Sequence, residues 1–377
     1  MNQIDLTKSL KTLVVTLKSL GFTKDVNLMK GRGILIFLLT ALLIISGCSS
    51  ASKAESNNLV TSPYSKTEFL MGTVVTVKIY DKNKEDILNL AFERINELAD
   101  KTSSEEKDSE ITAINENAGI KPIKVSEDVY RLVEVAKEHS HLADGKFDIS
   151  VGPLTKLWHI GFPDARKPDQ SEIDAILPLI NYEDVILDEQ KQTVYLTKKD
   201  MLLDLGAVAK GFITDEVVTV LQENDVTTAI IDLGGNIFVL GNHPSGDPWT
   251  IGIQDPNAAR GATVGKVSRS NESIVTSGVY ERYIEVDGEI YHHLLNPDTG
   301  YPFTNDLAGI SIITDSSTDA DALSTTAFSK GIKDGIQFIE TFTDAEAIFI
   351  SHDNEVFLTK GLEGKFELTN EQYQMGD

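Results

Sequence analysis

One cysteine, Cys48, is the only thiol in 377 residues. A single thiol excludes an intrachain disulfide and a zinc site built on cysteines. Basic charge is also scarce: 34 Lys and Arg stand against 58 Asp and Glu, a formal net charge of −24. Residues 1–47 hold six of the basic and two of the acidic groups, which leaves 28 against 56, or −28, for the remainder. A chain so poor in cations has no basic surface to replace phosphate counterions, which argues against nucleic acid as a partner. The acidic excess fits a solvated surface that keeps a protein soluble, and a specific basic partner is the alternative. Three catalytic signatures are missing too: the Gly-x₄-Gly-Lys-[Ser/Thr] phosphate loop, the His-Glu-x-x-His zinc pair and the Gly-x-Ser-x-Gly elbow. No internal repeat is present.

Long apolar runs are rare. The most continuous spans Ile34 to Ile45, shorter than the roughly 20 residues of a membrane-spanning helix. Lys30 and Arg32 precede it and Ser46-Gly47-Cys48 follow. A basic start, an apolar middle and small residues at the end make a secretory signal, expected over 1–47. Ile45-Ser46-Gly47-Cys48 also looks like a bacterial lipobox, whose cysteine carries lipid. The expectation is a lipid-anchored protein on the extracytoplasmic face of the cell membrane; an uncleaved anchor with a chance cysteine is the alternative. Met29-Lys30-Gly31-Arg32 makes a normal start, so residues 1–28 are expected to stem from a start placed too far upstream. Residues 48–65 begin with a polar stretch that cannot bury enough surface to order itself and are expected to form a flexible tether.

What is there is a sizeable core, with 41% hydrophobic residues. The spacing predicts strands across Thr67–Tyr80, interrupted at Met71-Gly72-Thr73, and helices over Lys84–Ala99, Ser109–Asn115, Ser126–Leu142 and Gln170–Leu177. Strands follow at 185–187, 194–196, 202–205, 227–231 and 237–240, with a helix over 211–222. Further strands are expected at 249–253, 273–276, 283–286, 307–313 and 347–350, and helices at 318–329 and 333–341. Strands cluster without strict alternation with helices, which reads as an α+β fold of mixed sheets with flanking helices over 66–372.

Four clusters carry candidate chemistry. In Asp319-Ala320-Asp321-Ala322-Leu323-Ser324-Thr325, Asp321 and Thr325 are i and i+4 on one helix face. Two oxygen ligands suit a hard cation such as Mg²⁺ that keeps other positions for phosphate. Asp at a helix start also serves capping and the dipole, so one of Asp319 and Asp321 could cap while the other ligates. Asp204-Leu205-Gly206-Ala207-Val208-Ala209-Lys210-Gly211 reads as strand, turn and helix, with free N–H groups and Lys210 available to an anion. A structural turn with a surface lysine explains it equally well. Gly234-Gly235 is first a two-residue hairpin turn. His292 and His293 precede a turn at Asn296-Pro297-Asp298-Thr299-Gly300. Adjacent residues on extended chain face opposite ways, so the two do not easily share a metal, and one could serve as a general base.

In order along the chain, these pieces resemble the ApbE family of FAD:protein FMN transferases, often bacterial lipoproteins. The matching segments are Met71-Gly-Thr73, Ser109 to Asn115, Gly145-Lys-Phe-Asp148 with Val151-Gly-Pro-Leu154, Asp204 to Gly211, and Asp232-Leu-Gly-Gly-Asn236. They continue with Ser277-Gly-x-Tyr-Glu-Arg282, His293 to Gly300 and Asp321 to Thr325. The resemblance implies a flavin-transferase fold and transfer of FMN from FAD to a Ser or Thr hydroxyl of an acceptor flavoprotein, with Mg²⁺ and release of AMP. It implies metal ligation by the Ala207 carbonyl and the side chains of Asp321 and Thr325. FAD contacts would fall on Met71, Lys146, Phe147, Asp148, Asp204, Lys210 and the backbone of Leu295, and His293 would help activate the acceptor hydroxyl. Two departures stand out: no aromatic occurs in Thr102–Lys107, where the family often stacks one on the flavin, and Asn296 replaces the commoner Asp. Competing readings are an FAD pyrophosphatase that uses water as acceptor, and a small-molecule-binding lipoprotein without catalysis.

Overall fold

The computed structural model describes residues 58–376. The signal segment, Cys48 and residues 48–57 lie outside the described residues. The expected tether gives way before residue 65: β1, Leu59–Leu70, pairs antiparallel with β2, Thr73–Asp81. Backbone pairing with β2 orders Leu59 and Tyr64–Ser65, which have too little apolar pattern to announce a strand. Met71 and Gly72 make the connecting turn at φ of 51° and 71°, the left-handed pair that matches hairpin twist.

Three helices follow: α1, Ile87–Thr102; α2, Glu110–Glu116; and α3, Glu127–Leu142. Ser109 and Ser126 cap α2 and α3 through side-chain oxygens that accept from Thr112 and Val129 N–H. The two-residue strand β3, Ile123–Lys124, precedes α3. Beyond α3, the short helices α4, Gly152–Trp158, and α5, Gln170–Ile176, lead to β4, Val185–Asp188, and β5, Thr193–Leu196. Strands β3, β5 and β4 form a small sheet.

Helix α6, Ala209–Glu223, then delivers the chain to β6, Ala229–Leu233, and β7, Asn236–Leu240, a hairpin across Gly234-Gly235. Next come β8, Trp249–Gln254; β9, Thr263–Arg269; β10, Glu272–Gly278; and the hairpin of β11, Tyr283–Val286, with β12, Glu289–His292. The chain closes with β13, Leu307–Thr314; helix α7, Ser317–Ile339; β14, Glu346–Ser351; β15, Glu355–Leu358; β16, Phe366–Leu368; and β17, Gln374–Met375.

Nine strands share one sheet in the order β1-β2-β6-β7-β10-β13-β14-β15-β17. All its pairings are antiparallel except β15 with β17, so the fold is α+β with a mixed sheet. Helices cover one face, where Val75, Val77 and Ile79 of β2 and Ile231 of β6 meet Phe92, Ile95, Val133, Ile213 and Val217. The sheet of β8, β9 and β16 covers the other, with Trp249, Ile251 and Val267 packed against Tyr80, Val239 and Ile313. Both faces of β13 are therefore buried, which fits the burial of every residue in it, Ser311 and Thr314 included.

Three expectations need correction. Residues 202–205 are extended but carry no ladder. Leu203 exchanges both backbone bonds with the Asn115 side chain, at 2.7 and 3.1 Å, and Asp204 N–H donates to Ile149, so side chain and loop replace a partner strand. The two C-terminal helices are one run, Ser317–Ile339, broken at Gly331 with φ of 74°, where the Asp306 carboxylate accepts from Ile332 N–H. Strands β3, β9, β12, β15, β16 and β17 and helix α4 were not anticipated; β3 and β17 are two residues each, and Gly265 and Lys266 within β9 and charged residues in β12, β15 and β16 blur the two-residue alternation.

Candidate active site

The site grows from the ends of several elements that meet at one end of the large sheet. Turns 71–72 and 234–235 lie there, since Leu70 pairs with Thr73 and Leu233 with Asn236. A β-carbon added to Gly234 would sit 2.1 Å from Thr73 Oγ1, so only glycine lets the turns touch. Strand β10 ends at the same edge and runs into Glu281 and Arg282. The β11–β12 hairpin then brings His293 back beside Arg282: His293 N–H donates to the Arg282 carbonyl at 3.1 Å.

At the centre, α6 and α7 start almost in contact. A β-carbon on Gly211 would fall 2.2 Å from the Ser317 carbonyl oxygen. Asp215 of α6 accepts from Ser317 N–H, Thr318 N–H and the Thr318 hydroxyl, at 2.8, 2.8 and 2.6 Å. It supplies the orphan donors at the start of α7 with a carboxylate from the neighbouring helix. Burial pushes its carboxyl above the ordinary range despite those bonds. Asn236 joins the same network, with its Oδ1 accepting from Thr214 and Ser317 hydroxyls.

This clamp separates the two acidic residues of α7. Asp319 turns to His139 of α3, Nε2 to Oδ1 at 2.8 Å. That hydrogen bond holds its carboxyl below the usual range. Asp321, only 4% exposed, turns to α6: its Oδ2 accepts from Gly211 N–H at 3.0 Å, and Lys210 Nζ lies 3.4 Å from both oxygens. Because Gly211 N–H goes to Asp321, the Ala207 carbonyl takes no backbone donor among the described residues. The Thr325 hydroxyl, one turn beyond Asp321, is also without a partner among them. A buried carboxylate, an open hydroxyl and an open carbonyl are hard oxygen donors, so this donor set fits Mg²⁺.

The histidines differ in what they have to spare. His292 is buried and uses both nitrogens: Nε2–H donates to the Phe303 carbonyl, and Nδ1 accepts from Leu294 N–H. His293 Nδ1 lies 3.2 Å from the Arg282 carbonyl. A carbonyl only accepts, so Nδ1 carries the hydrogen and Nε2 keeps its lone pair. Burial, and then the Arg282 charge, push the His293 ring down to about 3. Solvent still reaches part of it. His293 is therefore a neutral acceptor at physiological pH, not the near-neutral titrating group its ordinary pKa suggests.

The other anticipated positions surround this centre. Asp204 Oδ1 accepts from Gly206 N–H at 2.8 Å and shapes the turn before α6. Lys146 pairs with Asp298 in the turn that follows Leu295. Leu295 is buried and bridges Pro302. Met71 occupies the β1–β2 turn, and a β-carbon on its neighbour Gly72 would lie 3.7 Å from Arg282 Nη2. Phe147 is buried in the core, edge-on to His139, so its side chain supports the Asp319 contact. Asp148 spends Oδ1 on Ser150 and Oδ2 on Tyr182 N–H, which leaves its carboxylate a loop-holding role.

Sequence reasoning overlooked Asp215, His139 and Glu281. Nothing in the local sequence marks Asp215 as a cap for a helix a hundred residues away. Glu281 stood in a matched motif without a role. Desolvation by the surrounding chain pushes its carboxyl up to about 7, opposed by Lys210 and reinforced by Asp321. Part of the residue is exposed, so water screens some of that effect.

The ApbE family model matches residues 71–349. The chain belongs to the ApbE family. A curated relative from Klebsiella pneumoniae, named FAD:protein FMN transferase, is 37% identical over 83% of this chain and 97% of its own length. One from Treponema pallidum with the same name is 35% identical over 79% of this chain and 87% of its own. Among solved structures, the ApbE protein of Thermotoga maritima superimposes with a TM-score of 0.75 and 29% identity, covering 81% of this chain and 99% of that one. The flavin transferase ApbE of Vibrio cholerae gives 0.71 and 25%, covering 80% and 98%. The fold is that of ApbE flavin transferases, and the protein is a transferase of that family.

Proposed function

We propose that this protein transfers FMN from FAD to a Ser or Thr hydroxyl of an acceptor protein and releases AMP. The observation that carries the reading is the meeting of Asp321, Lys210 and Gly211 beside the open Thr325 hydroxyl and Ala207 carbonyl. Asp321, Thr325 and the Ala207 carbonyl would hold Mg²⁺, which when bound neutralises charge on the pyrophosphate. Lys210 adds a cation beside the same phosphates. His293 Nε2 takes the proton of the acceptor hydroxyl as its oxygen bonds to the phosphorus on the FMN side. The anhydride bond to the AMP phosphate breaks, and AMP leaves with that oxygen. Since His293 starts neutral, Nε2 is ready at physiological pH; an adjacent pyrophosphate stabilises the imidazolium that results.

Incubation with FAD, Mg²⁺ and a candidate acceptor tests this. The expected product is an acceptor heavier by one FMN and fluorescent in a denaturing gel. FMN and AMP released with no modified acceptor would instead make the protein an FAD pyrophosphatase.

The anchor belongs to the same reading. Ile45-Ser46-Gly47-Cys48 supports lipidation of Cys48, which would hold the enzyme on the extracytoplasmic face. A single acyl chain binds a bilayer only marginally, so at least two chains are expected. Cys48→Ser should be shed from the membrane; a variant that stays bound refutes the anchor.

A further inference from the structure

Six of the seven arginines lie among the described residues. Arg94, Arg131, Arg166 and Arg269 each pair with a carboxylate. Arg260 and Arg282 make no ion pair or hydrogen bond through their side chains among those residues, although 28 basic groups face 56 acidic ones beyond residue 47. Both stand by the glycine turns of the site. A β-carbon on Gly235 would find Arg260 Nη2 at 3.9 Å, and one on Gly72 would find Arg282 Nη2 at 3.7 Å. Of the two, Arg282 is the one tied to the base. Its carbonyl accepts from His293 N–H and from Nδ1–H. After burial, its charge is the main influence that holds the His293 ring down. The Arg282 stem lies along Gly161, where Cδ, Cγ and Nε would be 3.0, 3.7 and 3.8 Å from a β-carbon. Lys210 stands beside Asp321, and the charges of Lys210 and Arg282 both reach the Glu281 carboxyl.

This placement is unfavourable until an anion joins it. As a base, His293 must become an imidazolium, and an unpaired guanidinium beside it opposes that charge. An anion bound to the guanidinium removes the opposition, and the anion that the reaction brings is phosphate. We propose that the Arg282 guanidinium is a catalytic group that grips the FMN-side phosphate of FAD and stabilises the charge that gathers on it during transfer. The inference rests on the transferase reading. The acceptor hydroxyl gives its proton to His293 Nε2 while its oxygen bonds to phosphorus. Negative charge is spread over the phosphate oxygens until the anhydride bond breaks and its electron pair leaves with AMP. The planar fork of arginine spans two non-bridging oxygens at once, which the point charge of lysine does not. Lys210 and Arg282 thus serve different parts of the diphosphate, one on the Asp321 side and one on the His293 side.

The test uses the whole enzyme with FAD, Mg²⁺ and acceptor. Arg282→Gln removes the charge and keeps the backbone carbonyl that holds His293. The rate at saturating FAD and acceptor should fall about 10²-fold, the usual worth of a donor aimed at transition-state charge. Release of FMN to water should fall by the same factor, because water and acceptor attack the same phosphorus. The FAD dissociation constant should rise much less than the rate falls, and Tm should not change. Arg282→Lys should lie between the two. Millimolar guanidinium should restore part of the activity of Arg282→Ala, and equal NaCl should not. Lys266→Gln, which removes a charge from β9 on the other face of the large sheet, should behave as wild type. A saturated rate in Arg282→Gln equal to wild type overturns the assignment, even if FAD binds more weakly. A loss confined to the KM for acceptor makes the side chain an acceptor contact and overturns it too. So does a lowered Tm with no restoration by guanidinium, or an equal loss in Lys266→Gln, which would reflect net charge alone. A wild-type enzyme that releases FMN but never modifies acceptor fails at the transferase reading instead, and the loss of that release in Arg282→Gln still reports on the arginine.

Discussion

Asp321→Asn separates the charge of the central carboxylate from its place in the fold. Asp321 is 4% exposed; it accepts from Gly211 N–H at 3.0 Å and stands 3.4 Å from Lys210 Nζ. Asparagine keeps a carbonyl oxygen for Gly211 N–H, so no buried donor is orphaned. Replacing a charged by a neutral acceptor weakens that bond by about 1 kcal/mol. Removing a buried charge offsets much of this, because its desolvation no longer opposes folding. Lys210 is 30% exposed and regains water. The helix dipole adds little, because Asp321 lies past the first turn of α7. The net stability change should fall within about 1 kcal/mol. Catalysis should respond differently. Loss of a ligand charge opposite pyrophosphate removes several kcal/mol of transition-state stabilisation. At 1.36 kcal/mol per decade, about 3–4 kcal/mol is a loss of about 10²–10³ in rate. Initial rates of acceptor flavinylation with Mg²⁺, read by in-gel fluorescence, are set beside thermal melts of the same samples. A rate within about threefold of wild type at unchanged Tm would refute the role of Asp321.

His293→Ala should lower transfer by about 10²-fold or more at an unchanged FAD dissociation constant, the ordinary worth of a general base. His292→Ala should mainly lower stability, by about 2 kcal/mol from lost packing against Phe328 and lost backbone bonds, read as a lower Tm; equal catalytic losses in both would place the base elsewhere. Gly211→Ala drives a β-carbon to 2.2 Å from the Ser317 carbonyl and should cost about 3 kcal/mol or more in a denaturant melt, since the clash is with backbone. Asp215→Ala leaves two α7 N–H groups without their acceptor and should cost about 2 kcal/mol together with most of the activity, with Asn restoring part of both. The pH dependence has a definite sign: His293 falls from 6.5 to about 3 on folding, so the unfolded chain binds a proton there that the native protein does not. That contribution is complete above pH 6.5 and is lost as pH falls toward 3, so acidification from neutrality should lower the Tm of wild type more than that of His293→Ala.

The sequence by itself determined what is local. Ser109 and Ser126 announce their helices because a cap needs only its own side chain and the next turn. Gly234-Gly235 announces its hairpin because the left-handed φ values of the turn select glycine. Asp321 and Thr325 share a face by helical spacing alone, and the ordered motifs pointed to the family. Tertiary structure decided everything that depends on a distant partner. Asp319 and Asp321 look alike in sequence; His139 on α3 takes one and Lys210 and Gly211 on α6 take the other. His292 and His293 are neighbours, yet the Phe303 carbonyl and Leu294 N–H occupy both nitrogens of the first, while the Arg282 carbonyl leaves Nε2 of the second free. Residues 202–205 have strand composition, but their partner is the Asn115 side chain, and no periodicity in a single segment encodes that. The physical reason is common to all three. Propensity and capping act over a few residues, whereas desolvation, pairing and protonation depend on whatever the fold brings within hydrogen-bond reach.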